Sequence, residues 1–206
     1  MKKLVVEYDL VIVIDALTEK ERGDFKLSED LIKFLAKEGI KQMLFNCDDK
    51  KSVNQSLSNI QKVAESGLKF CLHFVSHGNE KGIWIKNSNE TISWEEFRES
   101  LYHINRLLSN TLIINMTSCF GLNAIKIVND SNNENPFFGL IGSNRVLWTN
   151  EAYYANRQFY TKLLAGKDIS VIIPEMQNQF RIFGKDNVIF GASTEGYKSI
   201  LKYLKS

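Results

Sequence analysis

A chain of 206 residues, 44% hydrophobic and 24% charged, carries enough apolar content for one α/β domain with a full core. A net charge of +2 without a dense Lys/Arg block argues against nucleic acid as the main partner. Three cysteines without paired spacing argue against a disulfide framework or a zinc site.

Lys2-Lys3 before an apolar run faintly mimics a signal peptide, but Glu7, Asp9 and Asp15 interrupt it and no run approaches membrane-spanning length. The reading is a soluble, cytoplasmic protein. Asp9–Asp15 is the first buried strand. After Gly23 a helix is expected, with Ser28 as N-cap, Glu29 and Asp30 in its first turn, and Leu31, Phe34 and Leu35 on one face. Gly39 stops it, and Ile40–Asn46 is strand two. Ser52 caps a helix with Val53, Leu57, Ile60 and Ala64 in register, closed by Gly67. Leu68–Val75 is strand three. Gly82–Ile85 and Glu90–Ile92 flank Asn87-Ser88-Asn89 as a small β-hairpin. Ser93-Trp94-Glu95-Glu96 is a capping box opening a helix that carries Phe97, Leu101, Ile104 and Leu108.

Thr111–Met116 is strand four, and Leu122–Val128 a short helix. The polar run Asn129–Pro136 is a loop, too short and too well anchored to act as a processing site at Asp130. Phe137–Gly142 is strand five. Helices follow from about Asn150 to Gly166 and over Ile169–Ile182, the second interrupted by Pro174. Val188–Phe190 is strand six, and Gly196–Lys205 an amphipathic helix. This alternation predicts a single α/β domain: a mainly parallel six-stranded sheet with helices on both faces.

Two strands end alike. Strand three runs into Ser76-His77-Gly78 and strand four into Ser118-Cys119-Phe120-Gly121. In an open α/β sheet the carboxyl ends of the strands are where catalytic groups collect. The interval between His77 and Cys119 can hold one crossover, so the two strands can be neighbours. A cysteine nucleophile works as the thiolate and needs a base nearby. An imidazole titrates close to neutral pH and can both take a proton and return it. Gly78 lets backbone approach a substrate, and its N–H could face an oxyanion.

A lone cysteine is most often a small buried hydrophobe. That reading holds for Cys71, which is mid-strand. Cys47 also follows a strand, but Asp48-Asp49 beside it would raise its thiol pKa. His73 lies inside strand three and reads as a core histidine; His103 lies on a helix and reads as a solvated or packing residue.

LHFVSHG with its hairpin, then IINMTSCFG, then FFGLIGSNRVLWTNEAYYANRQFYTKLLAGKDI, resembles the caspase-like cysteine peptidase clan, in particular CHAT-type (caspase HetF-associated) peptidase domains. The likeness runs from Asp9 onward. It implies a caspase-like three-layer sandwich, a Cys119/His77 dyad, an oxyanion hole from the Gly78 and Cys119 amides, and cleavage of a protein substrate. No cofactor or metal is expected, and an activating sensor or regulatory protein is expected to gate the activity. Substrate-binding positions carried over are Thr117, Ser143, Arg145 and Trp148. Two departures stand out. Thr117 occupies the position where caspases have Gln and metacaspases Asp, and four residues separate Ser143 from Trp148. Arg145 would favour an acidic residue before the scissile bond and Glu151 a basic one. The rival reading is a latent adaptor or regulatory subunit of the same fold; a flavodoxin-like domain is disfavoured by the lack of a Gly-rich phosphate loop after strand one.

Overall fold

The computed structural model describes residues 8–128, 135–182 and 189–198. Strand β1 (Leu10–Asp15) is buried along its whole length. Leu10, Ile12 and Ile14 enter one core while Val11 and Val13 enter the other, because successive side chains of a strand point to opposite faces. A continuous apolar strand is what a sheet covered on both faces requires.

Helix α1 (Glu19–Phe25) comes next, opened by a capping box between Thr18 and Glu21. Helix α2 (Leu27–Lys37) follows at once across Lys26, whose φ is 52°. The sequence reading placed a single helix here with Ser28 as its cap. Ser28 instead lies inside α2 and its hydroxyl donates to the buried Asp15 carboxylate at 2.5 Å. Strand β2 (Lys41–Asn46) forms one sheet edge, and helix α3 (Lys50–Glu65) is capped by Asp49 rather than Ser52. The Asp49 carboxylate accepts the Ser52 amide at 2.7 Å and the Ser52 hydroxyl accepts the Asp49 amide at 3.1 Å. The two residues share one reciprocal cap, and the expected assignment was three positions late.

Strand β3 (Phe70–Val75) leads into β4 (His77–Gly78), which pairs antiparallel with β5 (Gly82–Ile85). With β6 (Glu90–Ser93) these make a small three-stranded sheet, so the expected hairpin gains His77-Gly78 as a third strand. Helix α4 (Trp94–Leu107) carries the capping box read from the sequence at Ser93 and Glu96. Then come β7 (Ile113–Thr117), the expected short helix, which is a 3-10 helix over Gly121–Ile127, and β8 (Gly139–Gly142). Helix α5 (Thr149–Leu164) and helix α6 (Ile169–Ile182) precede β9 (Phe190–Ser193). Helix α6 continues through Pro174, since the one backbone bond lost there is to the carbonyl of Ser170 in the exposed first turn. Residues 129–134, Val188 and the expected tail helix beyond residue 198 lie outside the described residues.

The main sheet has the order β2-β1-β3-β7-β8-β9, parallel except for β9 against β8. Helices α3 and α4 pack on one face, with Val53, Leu57, Ile60, Phe97, Leu101 and Ile104 in that core. Helices α2, α5 and α6 cover the other with Leu31, Leu35, Phe159, Tyr160, Ile172 and Met176. The architecture is a three-layer α/β/α sandwich. Chain order steps from β1 outward to β2, then back across β1 to β3. That reversal opens a crevice at the strands' carboxyl ends.

Under the end of β7 lies a buried polar network. The His73 ring sits 3.0 Å from the Tyr160 hydroxyl at Nδ1 and 3.1 Å from the Thr117 hydroxyl at Nε2. Thr117 donates to Asn156 Oδ1 at 2.9 Å, so its oxygen must accept from His73 Nε2–H. Tyr160 therefore donates to Nδ1, and the ring is neutral. Burial pushes the imidazole pKa down to about 3. Above the unfolded value near ~6.5 the neutral ring costs nothing; as pH falls from there toward 3, the unfolded chain takes the proton and the folded one does not. Stability is lost across that window. The expected result is a His73 ring signal that does not titrate above pH ~4 in NMR of the 13C-histidine-labelled protein, with a parallel fall in denaturant midpoint below pH ~6.5. A His73 signal titrating near neutrality would contradict the neutral, locked ring.

Candidate functional site

Parallel pairing of β3 with β7 sets Val75 opposite Thr117, so the segments carrying His77 and Cys119 leave the sheet side by side. They are in contact: a Cβ built on Gly78 would lie 2.6 Å from the Cys119 carbonyl oxygen and 3.1 Å from Ser118 Cβ. Only glycine allows that approach. Gly78→Ala should destabilise the fold by about 1–3 kcal/mol, as overpacking against backbone does, read from chemical denaturation. No change in midpoint would show that the strand can move aside.

The main chain turns sharply after Cys119. The left-handed residue of this turn is Phe120, with φ 56°. A bulky residue there costs roughly 1–2 kcal/mol, a strain of the kind stored at functional sites. Gly121 serves a different need, because a Cβ there would meet Met116 Cβ and Ser118 Oγ at 2.8 Å. The segment after β8 straps onto this turn. Phe120 N–H donates to the Arg145 carbonyl at 3.0 Å and Leu122 N–H to the Ser143 carbonyl at 3.0 Å. The Leu147 amide donates to Cys119 Sγ at 3.5 Å.

His77 is oriented by a residue the sequence reading passed over. Its Nε2 lies 3.1 Å from both carboxylate oxygens of Glu21. A carboxylate only accepts, so Nε2 is the nitrogen that donates. Glu21 is the capping-box residue of α1 and also receives the Lys86 ammonium at 2.6 Å and the Thr18 hydroxyl at 2.9 Å. Its partial burial pushes the carboxyl pKa up, but the hydrogen bonds from Lys86, His77 and Thr18 outweigh that and hold it at about 2. The Trp84 ring, opposite His77 in the small sheet, lies 5.5 Å from the imidazole centroid to centroid. The signal for Glu21 was in the sequence: Thr18-Glu19-Lys20-Glu21 is a T-x-x-E capping box directly after a strand's carboxyl end.

The Gly78 amide is aimed by its strand. Asn79 N–H bonds the Gly82 carbonyl, and in an antiparallel pair bonded and non-bonded positions alternate. Gly78, paired with Ile83, is at a non-bonded position, so its N–H points off the free edge of β4.

His77 and Cys119 line one cavity of about 370 Å³ together with Thr117, Trp148, Leu147 and Ser118. Of the expected substrate-binding residues, Trp148 stands at this cavity and is 65% exposed. Thr117 lines it while its hydroxyl is committed to His73 and Asn156 below. Ser143 is fully buried and acts through its backbone and an Oγ that accepts from Arg145 N–H. Arg145 and Glu151 pair with each other at 2.9 and 3.2 Å, which takes both away from the opposite roles the sequence suggested. The other two cysteines are remote from this chemistry. Burial pushes Cys71 up to about 12, with its thiol on the Ile113 carbonyl. Cys47 is also raised chiefly by burial, rather than by Asp48-Asp49, and its sulfur sits 3.3 Å from the Ser56 hydroxyl. Among the described residues no cluster of three or more His, Cys, Asp or Glu could hold a metal ion, and no helix is long and apolar enough to cross a membrane.

The chain matches no family model and no curated protein. Among solved structures it is similar to a radical S-adenosylmethionine methyltransferase, TsrM from Kitasatospora setae, solved with a tryptophan substrate and a S-adenosylmethionine analogue. Identity is 12% and the TM-score 0.45, over 80% of this chain and 27% of that one, so this chain spans just over a quarter of that protein's length. A likeness at this level carries no reading of chemistry. The comparisons do correct the family expectation. With no family model matching, membership of the caspase-like clan and its CHAT type is not retained. The cysteine-endopeptidase class goes with it, as do the descriptors thiol protease and bacterial defence or regulated proteolysis. The physical reason lies in how short the motifs are. Ser-His-Gly and Ser-Cys-Phe-Gly are what a buried strand leaving into a tight turn produces, and such turns recur in unrelated parallel sheets.

Proposed function

We propose that the cavity at the ends of β3 and β7 performs thiol-based acyl transfer, with Cys119 as nucleophile, His77 as general base and acid, and Glu21 as the positioning residue of His77. The observation that carries the reading is the Glu21–His77 contact, which anchors the imidazole through Nε2 at a strand end abutting the only half-buried cysteine among the described residues.

The Cys119 proton passes to His77 Nδ1 as Sγ bonds to the substrate carbonyl carbon. The Gly78 and Cys119 amides hold the oxyanion that forms. Collapse of the adduct breaks the bond to the leaving group, which takes the proton from His77 and leaves a thioester on Cys119. Water then gives a proton to His77, attacks the thioester, and releases the acid while Sγ recovers its proton. Glu21 stabilises the imidazolium present between these steps without itself becoming protonated.

The test is an acid-quenched burst with an activated acyl ester. The expected result is one acyl adduct per chain, mapped by mass spectrometry to Cys119, and absent from Cys119→Ala. Steady ester turnover with no adduct on Cys119 would refute the reading.

A further inference from the structure

We infer that the acyl group accepted by this cavity carries an uncharged, apolar side chain next to the attacked carbonyl, of about leucine or phenylalanine size; this rests on the acyl-transfer reading above. The walls are supplied by Leu17, Phe25, Leu27, Val146, Leu147 and Trp148, and among the described residues no Asp, Glu, Lys or Arg lines the space. The charges around it are already paired inside the protein. Arg145 is closed on Glu151 through two hydrogen bonds. Asp15, at the end of β1, is held by the Ser28 hydroxyl, the Leu17 amide and the Arg22 guanidinium. Glu21 is shared between His77 and Lys86.

A charged substrate side chain would therefore enter an apolar space with no partner, and burying a charge unpaired is far more costly than leaving it in water. An apolar one is favoured by the area it removes from water, at roughly 25 cal/mol per Å². About 370 Å³ lies at the small end of ligand cavities, roughly 300–1,000 Å³, and suits one large side chain with adjoining backbone. The half-exposed Phe25 and the exposed Trp148 make the rim, where an entering apolar group first packs.

The experiment measures labelling of the purified protein by a set of acyloxymethyl ketones that differ only in the residue beside the warhead: Leu, Phe, Asp or Arg. The Leu and Phe probes are expected to modify Cys119 roughly tenfold to a hundredfold faster than the Asp and Arg probes. In Phe25→Asp the Arg probe should gain on the Leu probe. Equal rates, a faster charged probe, or an unchanged order in Phe25→Asp would overturn the inference while leaving acyl transfer intact. Absence of His77-dependent labelling by every probe would instead remove the acyl-transfer reading, and the inference with it.

Discussion

Cys119→Ala is expected to abolish hydrolysis of a leucyl ester, with a loss of about 10⁴-fold or more in kcat, because removing a nucleophile removes the covalent route altogether. The melting temperature should stay within a few degrees of wild type, since the thiol is only half-buried and the substitution leaves its backbone contacts in place. His77→Ala should fall close to the same floor. The double variant should be no worse than either single one, since groups that act as one unit are not additive. Steady-state kinetics on the three variants checks this. Substantial turnover by Cys119→Ala would move the chemistry elsewhere.

Glu21→Gln is the second large effect. Glutamine preserves the capping box of α1, as Gln serves there in place of Glu, so the fold is retained. It replaces a carboxylate that can only accept with an amide that can also donate, which loosens control of the His77 tautomer and removes the charge facing the imidazolium. A fall of about 10²–10³ in kcat with little change in KM is expected. A merely structural role would lower stability and leave kcat per folded molecule unchanged. The pH dependence gives an independent sign. The folded carboxyl lies at about 2, below the unfolded value near ~4.3, so the stability Glu21 contributes is fully present above that value. It is lost as pH falls toward 2. Wild type and Glu21→Gln should therefore differ in denaturant midpoint at pH 6 and converge at pH ~2.

Several elements of this molecule were legible because one physical cause dominated each. Strands β1, β3 and β7 are unbroken apolar runs ending in small polar residues, the pattern forced on a sheet covered on both faces. The ends of β3 and β7 then put His77 and Cys119 side by side with no further information. Helix α1 was hidden because Glu19–Phe25 is polar on all sides and contains Gly23. Its cap, and so Glu21, could be read only from the Thr18–Glu21 spacing. Strand β9 has the sequence Phe-Gly-Ala-Ser, without β-branched residues, and is a strand because β8 offers it an edge.

Ser28 shows a different limit. A serine near a helix start favours an N-cap locally, but the buried Asp15 carboxylate competes for its hydroxyl, and that partner is thirteen residues away. The pairing of Arg145 with Glu151 likewise joins a loop to the first turn of α5. Sequence could name both charges but not that they cancel. The motifs behind the family resemblance are turns that strand geometry alone can produce.

The most direct test of the central claim is peptide-mapped mass spectrometry after limiting treatment with the leucyl acyloxymethyl ketone. It is run on wild type, His77→Ala and Glu21→Gln. The account predicts a single adduct on Cys119, none on the buried Cys47 or Cys71, and a rate that falls in Glu21→Gln and falls further in His77→Ala. Modification of Cys47 or Cys71 in the folded protein, or labelling of Cys119 at the wild-type rate without His77, would contradict it.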